Sequence, residues 1–171
     1  MSEGEIVNRV IGSGLITIDL EDFYHAGERV VFDIKHQLFQ ELVLREKDFR
    51  EFVKNNDWGK YKDKNVAIIC SVDAIVPTWA YMLLASELQP FANKVVFGNF
   101  DMLEQALFQE AISKIDFSAL ENQRVVVKGC GKYPVPLFAY VELTERLRPI
   151  VRSIMYGEPC STVPIYKKPR G

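Results

Sequence analysis

Cysteine is the residue type in this chain with both chemistry to offer and a pattern to explain. There are three, Cys70, Cys130 and Cys160, and each is followed within a few residues by Val-Pro: CSVDAIVP from 70, CGKYPVP from 130 and CSTVP from 160. The first two continue into aromatic-Ala-Tyr, as Trp79-Ala80-Tyr81 and Phe138-Ala139-Tyr140. Three thiolates with one open position suit an iron–sulphur cluster, which cysteine thiolates hold. Three thiolates completed by His25 or a carboxylate make a tetrahedral zinc site. The third chemistry is nucleophilic: Cys130 stands just ahead of an expected helix with Lys132 two residues on, surroundings that favour a thiolate. The only histidines to serve as its base are His25 and His36, both N-terminal.

A plainer account stands beside these. Free cysteine is among the most buried residue types and packs as a small hydrophobe. Cys70, closing the apolar run VAII, fits that description; Cys130, in the glycine-flanked GCGKYP, reads as loop. Proline is welcome at a helix start because its missing N–H would be unpaired there. Repeated turns from strand to helix therefore also explain the Val-Pro echo. Spacing argues against an ordinary structural zinc site, since no CxxC pair is present.

Other candidates lie near the same turns. Asp73, Asn99 and Asp101 follow expected strands, where a helix cap is the better account of Asp101. Glu158 neighbours Cys160, and LEDFYH (20–25) gathers Glu21, Asp22 and His25 in what reads as a solvated loop. Nucleotide signatures are missing: GSG at 12–14 precedes a strand instead of opening a helix, and there is no GxxxxGK[ST]. The aromatics Trp79, Tyr81, Phe138 and Tyr140 suit packing of helix on sheet more than stacking on a cofactor.

The elements that position these residues follow from periodicity. LITIDL (15–20) alternates as a half-buried strand. RVVFDI (29–34) and LFQELVL (38–44) suggest a hairpin, and REKDFREFVKNND (45–57) puts Phe49, Phe52 and Val53 on one helical face. From residue 64 short apolar runs alternate with helical patterns: NVAIIC, KVVFG and RVVVKGC, with strand starts about 30 residues apart, the length of one βα unit. The last helical pattern extends over 135–157, with Pro149 breaking it near Leu147 and Gly157 as its C-cap. The expected fold is a single α/β domain over 1–171, three-layer αβα. Its central parallel sheet has strands near 65–70, 94–98 and 124–129, extended by an N-terminal antiparallel β-meander (15–44). βα units fill 65–157, and a C-terminal return segment, 158–171, must fold back if Cys160 is to join Cys70 and Cys130. Ligands of such sheets bind beyond the carboxyl ends of the strands, which makes Cys70, Cys130 and Cys160 the metal candidates, with Lys132 and Asp73 beside them.

Bulk properties set limits on function. The chain has 171 residues, 48% hydrophobic and 26% charged, with a net charge of −2 and a pI near 5.8. No basic field is present to hold nucleic acid, and the basic run YKKPRG (166–171) reads as a frayed tail. No apolar run reaches the roughly 20 residues of a membrane span, and MSEGEIVNRV is unlike a signal peptide. An odd cysteine count argues against a disulfide framework, so the expected location is the cytoplasm, with reduced thiols.

Taken together, GLITIDLEDFY, LFQELVLREKDFREFVKNNDW, VPTWAYMLL, KGCGKYPVPLFAYVELTERLRPI and SIMYGEPCSTVPIYK resemble a bacterial family of uncharacterised proteins, domain of unknown function 2480. The resemblance covers nearly the whole chain and brings no catalytic residues with it. It implies a setting beside iron–sulphur cluster assembly, with assembly proteins as partners.

Overall fold

Valine-rich stretches such as NVAII and RVVVK form strands because branched side chains pack well on a pleated surface. In the computed structural model, which describes residues 8–10 and 14–170, they are central strands of two separate sheets. In chain order the strands are β1 (Asn8–Val10), β2 (Leu15–Asp19), β3 (Arg29–Asp33), β4 (Asn65–Ile69), β5 (Lys94–Phe97), β6 (Arg124–Lys128), β7 (Ser153–Glu158) and β8 (Ser161–Lys167). The helices are α1 (Glu46–Asn55), α2 (Thr78–Leu88), α3 (Phe100–Ser113) and α4 (Leu137–Leu147). One sheet has the order β1-β2-β6-β7-β8 and the other β3-β4-β5. The chain is thus a mixed, mostly parallel α/β protein.

Two compact units divide the chain, the boundary falling within α3. The first contains Met1–His25 and Leu107–Gly171, the second Ala26–Ala106. In the second unit β3 pairs with β4, and β4 with β5, all in parallel. Phe49 and Val53 of α1 and Ala80, Leu84 and Leu88 of α2 share one core with Phe32, Val66 and Ile68 of the strands. In the first unit β2, β6 and β7 are parallel, with β1 and β8 antiparallel at the edges. Phe108 and Ile112 of α3 and Ala139, Leu143 and Leu147 of α4 pack on Ile16, Ile18, Val125, Val127 and Ile154.

The two units repeat one plan. Moving 59 positions along the chain (124 less 65) carries β4 onto β6, Pro77 onto Pro136, Ala80-Tyr81 onto Ala139-Tyr140 and Pro90 onto Pro149. Asp57 and Asp116 cap the 3-10 turns Trp58–Tyr61 and Phe117–Leu120 in the same way. Asp63 and Asn122 both take positive φ, 59° and 56°, as do Gly98 and Gly157. Even single loop hydrogen bonds recur: Asn93 to Lys64 and Arg152 to Gln123 are both 2.8 Å. The leading strands β2 and β3 also correspond, with Asp19 and Asp33 each accepting from the N–H two residues on. The Val-Pro echo after Cys70 and Cys130 is therefore the repeated strand-to-helix turn. The cysteines themselves are one position out of register: Cys70 corresponds to Gly129, and Ser71 to Cys130.

Several expectations are corrected. The strands expected at 65–70, 94–98 and 124–129 all form, but β4 and β5 lie in one sheet and β6 in the other. Residues 15–44 do not form the expected antiparallel meander, because β2 and β3 each add in parallel to the strand of their own unit. Residues 38–44 make a tight turn closed by a Phe39–Val43 bridge in place of a hairpin arm. The last helix ends at Leu147, where Pro149 is expected to break it, but the residues beyond do not resume a helix: Ser153–Glu158 is β7, and Gly157, expected as a helix C-cap, sits at φ 117° in that strand. After Glu158 the chain turns into β8, which runs antiparallel beside β7; the basic run expected as a frayed tail begins inside that strand, and Lys168 N–H bonds Arg152 O at 2.9 Å. Of GSG at 12–14, Gly12 and Ser13 lie outside the described residues.

Candidate functional site

Beyond β6 the chain leaves the first unit's sheet at Gly129 and reaches α4 through a loop ending at Pro136. A cavity of about 390 Å³ opens at this turn, within the range of about 300–1,000 Å³ usual for small-molecule pockets. Its apolar walls are Val127, Val135, Leu137 of α4, Ile154 and Met155 of β7, and Ile165 of β8. Four side chains bring polar atoms: Cys130, Tyr140, Thr144 and Tyr156. The Thr144 hydroxyl already donates to the Tyr140 carbonyl at 2.6 Å. That leaves one thiol and two phenols facing the space.

These three groups form a set. Cys130 Sγ lies 2.8 Å from Tyr156 Oη and 3.9 Å from Tyr140 Oη. The two rings meet edge to face, centroids 5.9 Å apart at 76°. Burial first, and then the hydrogen bond to Cys130, push the Tyr140 phenol well above its usual value. For Tyr156 the hydrogen bond to Cys130 is the main cause of an upward shift. Both phenols keep their protons at neutral pH and can donate to the sulphur or to an oxygen placed beside it. Gly129 makes the close approach feasible: a Cβ there would stand 2.6 Å from Tyr140 Oη.

The loop is pinned by one carboxylate. Glu21 belongs to the 3-10 turn Leu20–Phe23, started by Asp19, whose Oδ1 accepts the Glu21 N–H at 3.0 Å. Glu21 Oε1 accepts from Gly131 N–H, and Oε2 accepts from Lys132 N–H at 2.7 Å and Tyr133 N–H at 3.1 Å. Donation from Tyr133 and its two neighbours holds the Glu21 carboxyl below its ordinary range despite partial desolvation. Tyr133 also stacks on Tyr24 at 4.5 Å, so the first-unit turn at 20–24 fixes both ends of the tripeptide after Cys130.

The sequence-derived candidates divide unevenly. Cys130 lies in the cavity; Cys160 is exposed, in the turn between β7 and β8. Cys70 is half-buried in the second unit, its Sγ 3.2 Å from the Val72 carbonyl. Lys132 is exposed, its ammonium 5.0 Å above the Tyr133 ring, and Asp73 is exposed in the second unit's loop. Among the described residues no three of His, Cys, Asp and Glu come together to hold a metal ion. Asn99 caps α3, its Oδ1 accepting Met102 N–H at 3.1 Å. Glu21 anchors a loop, and Trp79 packs on Phe49 at 6.0 Å.

Residues that composition and spacing pass over are Tyr156, Tyr140 as a polar group, and Glu21 as an anchor. A signal for them exists in the repeat. The second unit keeps the ring pair, Tyr81 against Phe97 at 5.1 Å and 75°. It has Ser71 at the place of Cys130, Phe97 at that of Tyr156 and Lys35 at that of Glu21. The apolar frame is common to both units, while the thiol, the second phenol and the anchoring carboxylate belong to one.

Fold and site together define an α/β protein built from a repeated βαβ unit, one copy of which carries a thiol–phenol cavity. The chain belongs to the family described as Protein of unknown function (DUF2480), whose model matches residues 4–168. No curated protein and no solved structure matches it. Among the described residues no helix is long and apolar enough to cross a membrane.

Proposed function

We propose that the first unit binds a small apolar acyl compound and that Cys130 is its acyl acceptor. The observation that carries this reading is the Cys130 thiol, 2.8 Å from a protonated Tyr156 phenol, opening on a mostly apolar cavity. Sulphur attacks the carbonyl carbon of a thioester. A C–S bond forms, the C–S bond to the leaving thiol breaks, and the Cys130 proton ends on that thiol. The phenols are placed to donate to the carbonyl oxygen as it gains charge, the role of an oxyanion hole. Neither histidine is bonded to Cys130, which favours exchange between thioesters over cleavage of amides, where a proton must be delivered to a poor leaving group.

The test is incubation of the whole protein with the octanoyl thioester of N-acetylcysteamine, followed by peptide mass spectrometry. Octanoylation concentrated at Cys130, reversed by hydroxylamine and slowed by Tyr156→Phe, supports the reading. Equal slow labelling of Cys70, Cys130 and Cys160 sinks it. Stoichiometric iron and labile sulphide in anaerobically purified protein, lost on Cys130→Ala, would replace it with a cluster-binding role.

A further inference from the structure

We infer that the protein forms a two-fold dimer by antiparallel pairing of β5 with β5 of a second copy. In the first unit the strand corresponding to β5 is β7, and its outer edge is taken by β8, antiparallel from Ser153–Lys167 to Glu158–Ser161. In the second unit the chain turns at Gly98 into α3 instead, and among the described residues β5 pairs only with β4. Among the described residues no strand therefore lies beyond Val95 and Phe97 on the outer side of β5, which leaves their edge open to a further strand. The equivalent edge elsewhere in the same chain is not left so: it is covered by β8, which carries Pro164 in its own length, a residue that cannot donate to a further ladder. β5, KVVF, contains no proline and only one charge, at its first position.

The hydrogen-bond pattern fixes the register. Gly98 N–H bonds Ile68 O at 2.9 Å, so Gly98 and Val96 direct their polar groups to β4. Val95 and Phe97, one residue out of phase, direct theirs outward. An antiparallel partner must place outward groups opposite outward groups. A two-fold axis at Val96 does this, setting Val95 against Phe97 of the second copy in both directions. It also keeps the two Lys94 side chains at opposite ends and forms a branched–aromatic cross-strand pair of the favourable kind. Apolar exposure continues past the edge: Phe97 is 62% exposed, Phe100 45% and Met102 49%. An exposed apolar cluster of this sort beside an open edge marks an interaction surface. Because the contact is isologous, it closes at two chains and does not propagate.

Sedimentation equilibrium of the whole protein is expected to give a dimer. Phe97→Pro removes an outward N–H while leaving the β4 ladder intact, and Phe97→Asp puts a charge on the edge; both are expected to be monomers with unchanged far-UV circular dichroism. Across the axis, Val96 faces Val96 in a non-hydrogen-bonded pair with Cα atoms about 4.5 Å apart, within disulfide reach. Val96→Cys should therefore cross-link on oxidation and Val95→Cys should not. A monomeric native protein, or a dimer that survives both Phe97 variants and does not cross-link at 96, overturns the inference.

Discussion

Gly129→Ala tests the geometry of the cavity directly. The new Cβ would lie 2.6 Å from Tyr140 Oη, 3.2 Å from Leu20 Cβ and 3.3 Å from Tyr140 Cζ. The first is closer than a side chain tolerates and the other two are tight, so the phenol must move by most of an ångström or the strand end must shift. Overpacking of this kind costs about 1–3 kcal/mol. Opposing it is the stiffening of the unfolded chain, about 0.4–1 kcal/mol in favour of alanine. The net expectation is a loss of about 1–2 kcal/mol. Tyr140→Phe deletes the colliding atom, and by itself forfeits only a long contact to Cys130 (3.9 Å). In that background the contacts to Leu20 Cβ and the ring carbon remain, so Gly129→Ala should cost less without becoming neutral, giving a coupling energy of about 1 kcal/mol. Urea unfolding followed by far-UV circular dichroism measures it; both tryptophans, Trp58 and Trp79, lie in the second unit and report poorly on this site. If Gly129→Ala costs the same with and without the Tyr140 hydroxyl, the phenol does not stand over Gly129 and the proposed arrangement of the site fails.

Three further outcomes follow from the same residues. Glu21 has a folded pKa lowered from the ordinary 4.5, so its hold on Gly131–Tyr133 is full above that value and is lost as pH falls through the lower folded pKa. Amide exchange at those three N–H groups should accelerate in acid, and Glu21→Gln should show the fast exchange already at neutral pH. The Tyr140 and Tyr156 phenols, raised above the ordinary 10.0, add stability that is fully present below pH 10 and falls away as pH climbs toward the folded values. Absorbance titration should find both ionising late, with Cys130→Ala moving Tyr156 back strongly and Tyr140 less, since burial leads the shift there. Leu143→Ala empties a fully buried position between α4 and the first sheet and should cost about 2–5 kcal/mol in the same unfolding assay.

Local signals in the sequence set most of the strands and the helix entries, though not residues 38–44 or the strand after α4. Val-rich runs fixed β4, β5 and β6, Pro77 and Pro136 marked the entries to α2 and α4, and Pro149 stopped α4, because each of these effects acts within a few residues. The loop character of Cys130 was legible for the same reason, from its flanking glycines. Partner choice between strands was not: VVFD at 30–33 and ITID at 16–19 are compatible with a meander or with parallel addition, and only burial against α1 and α3 selects the second. Nor was the last strand legible, since RSIMYG can continue a helical face until the preceding proline and the β8 hairpin commit it to the sheet. The site lay furthest from view. Cys130, Tyr140 and Tyr156 are separated by loops and a helix, and Glu21 reaches Gly131 across more than a hundred residues (|i−j| = 110). Such a set exists only once β2, β6 and β7 stand side by side, so its membership belongs to the tertiary structure.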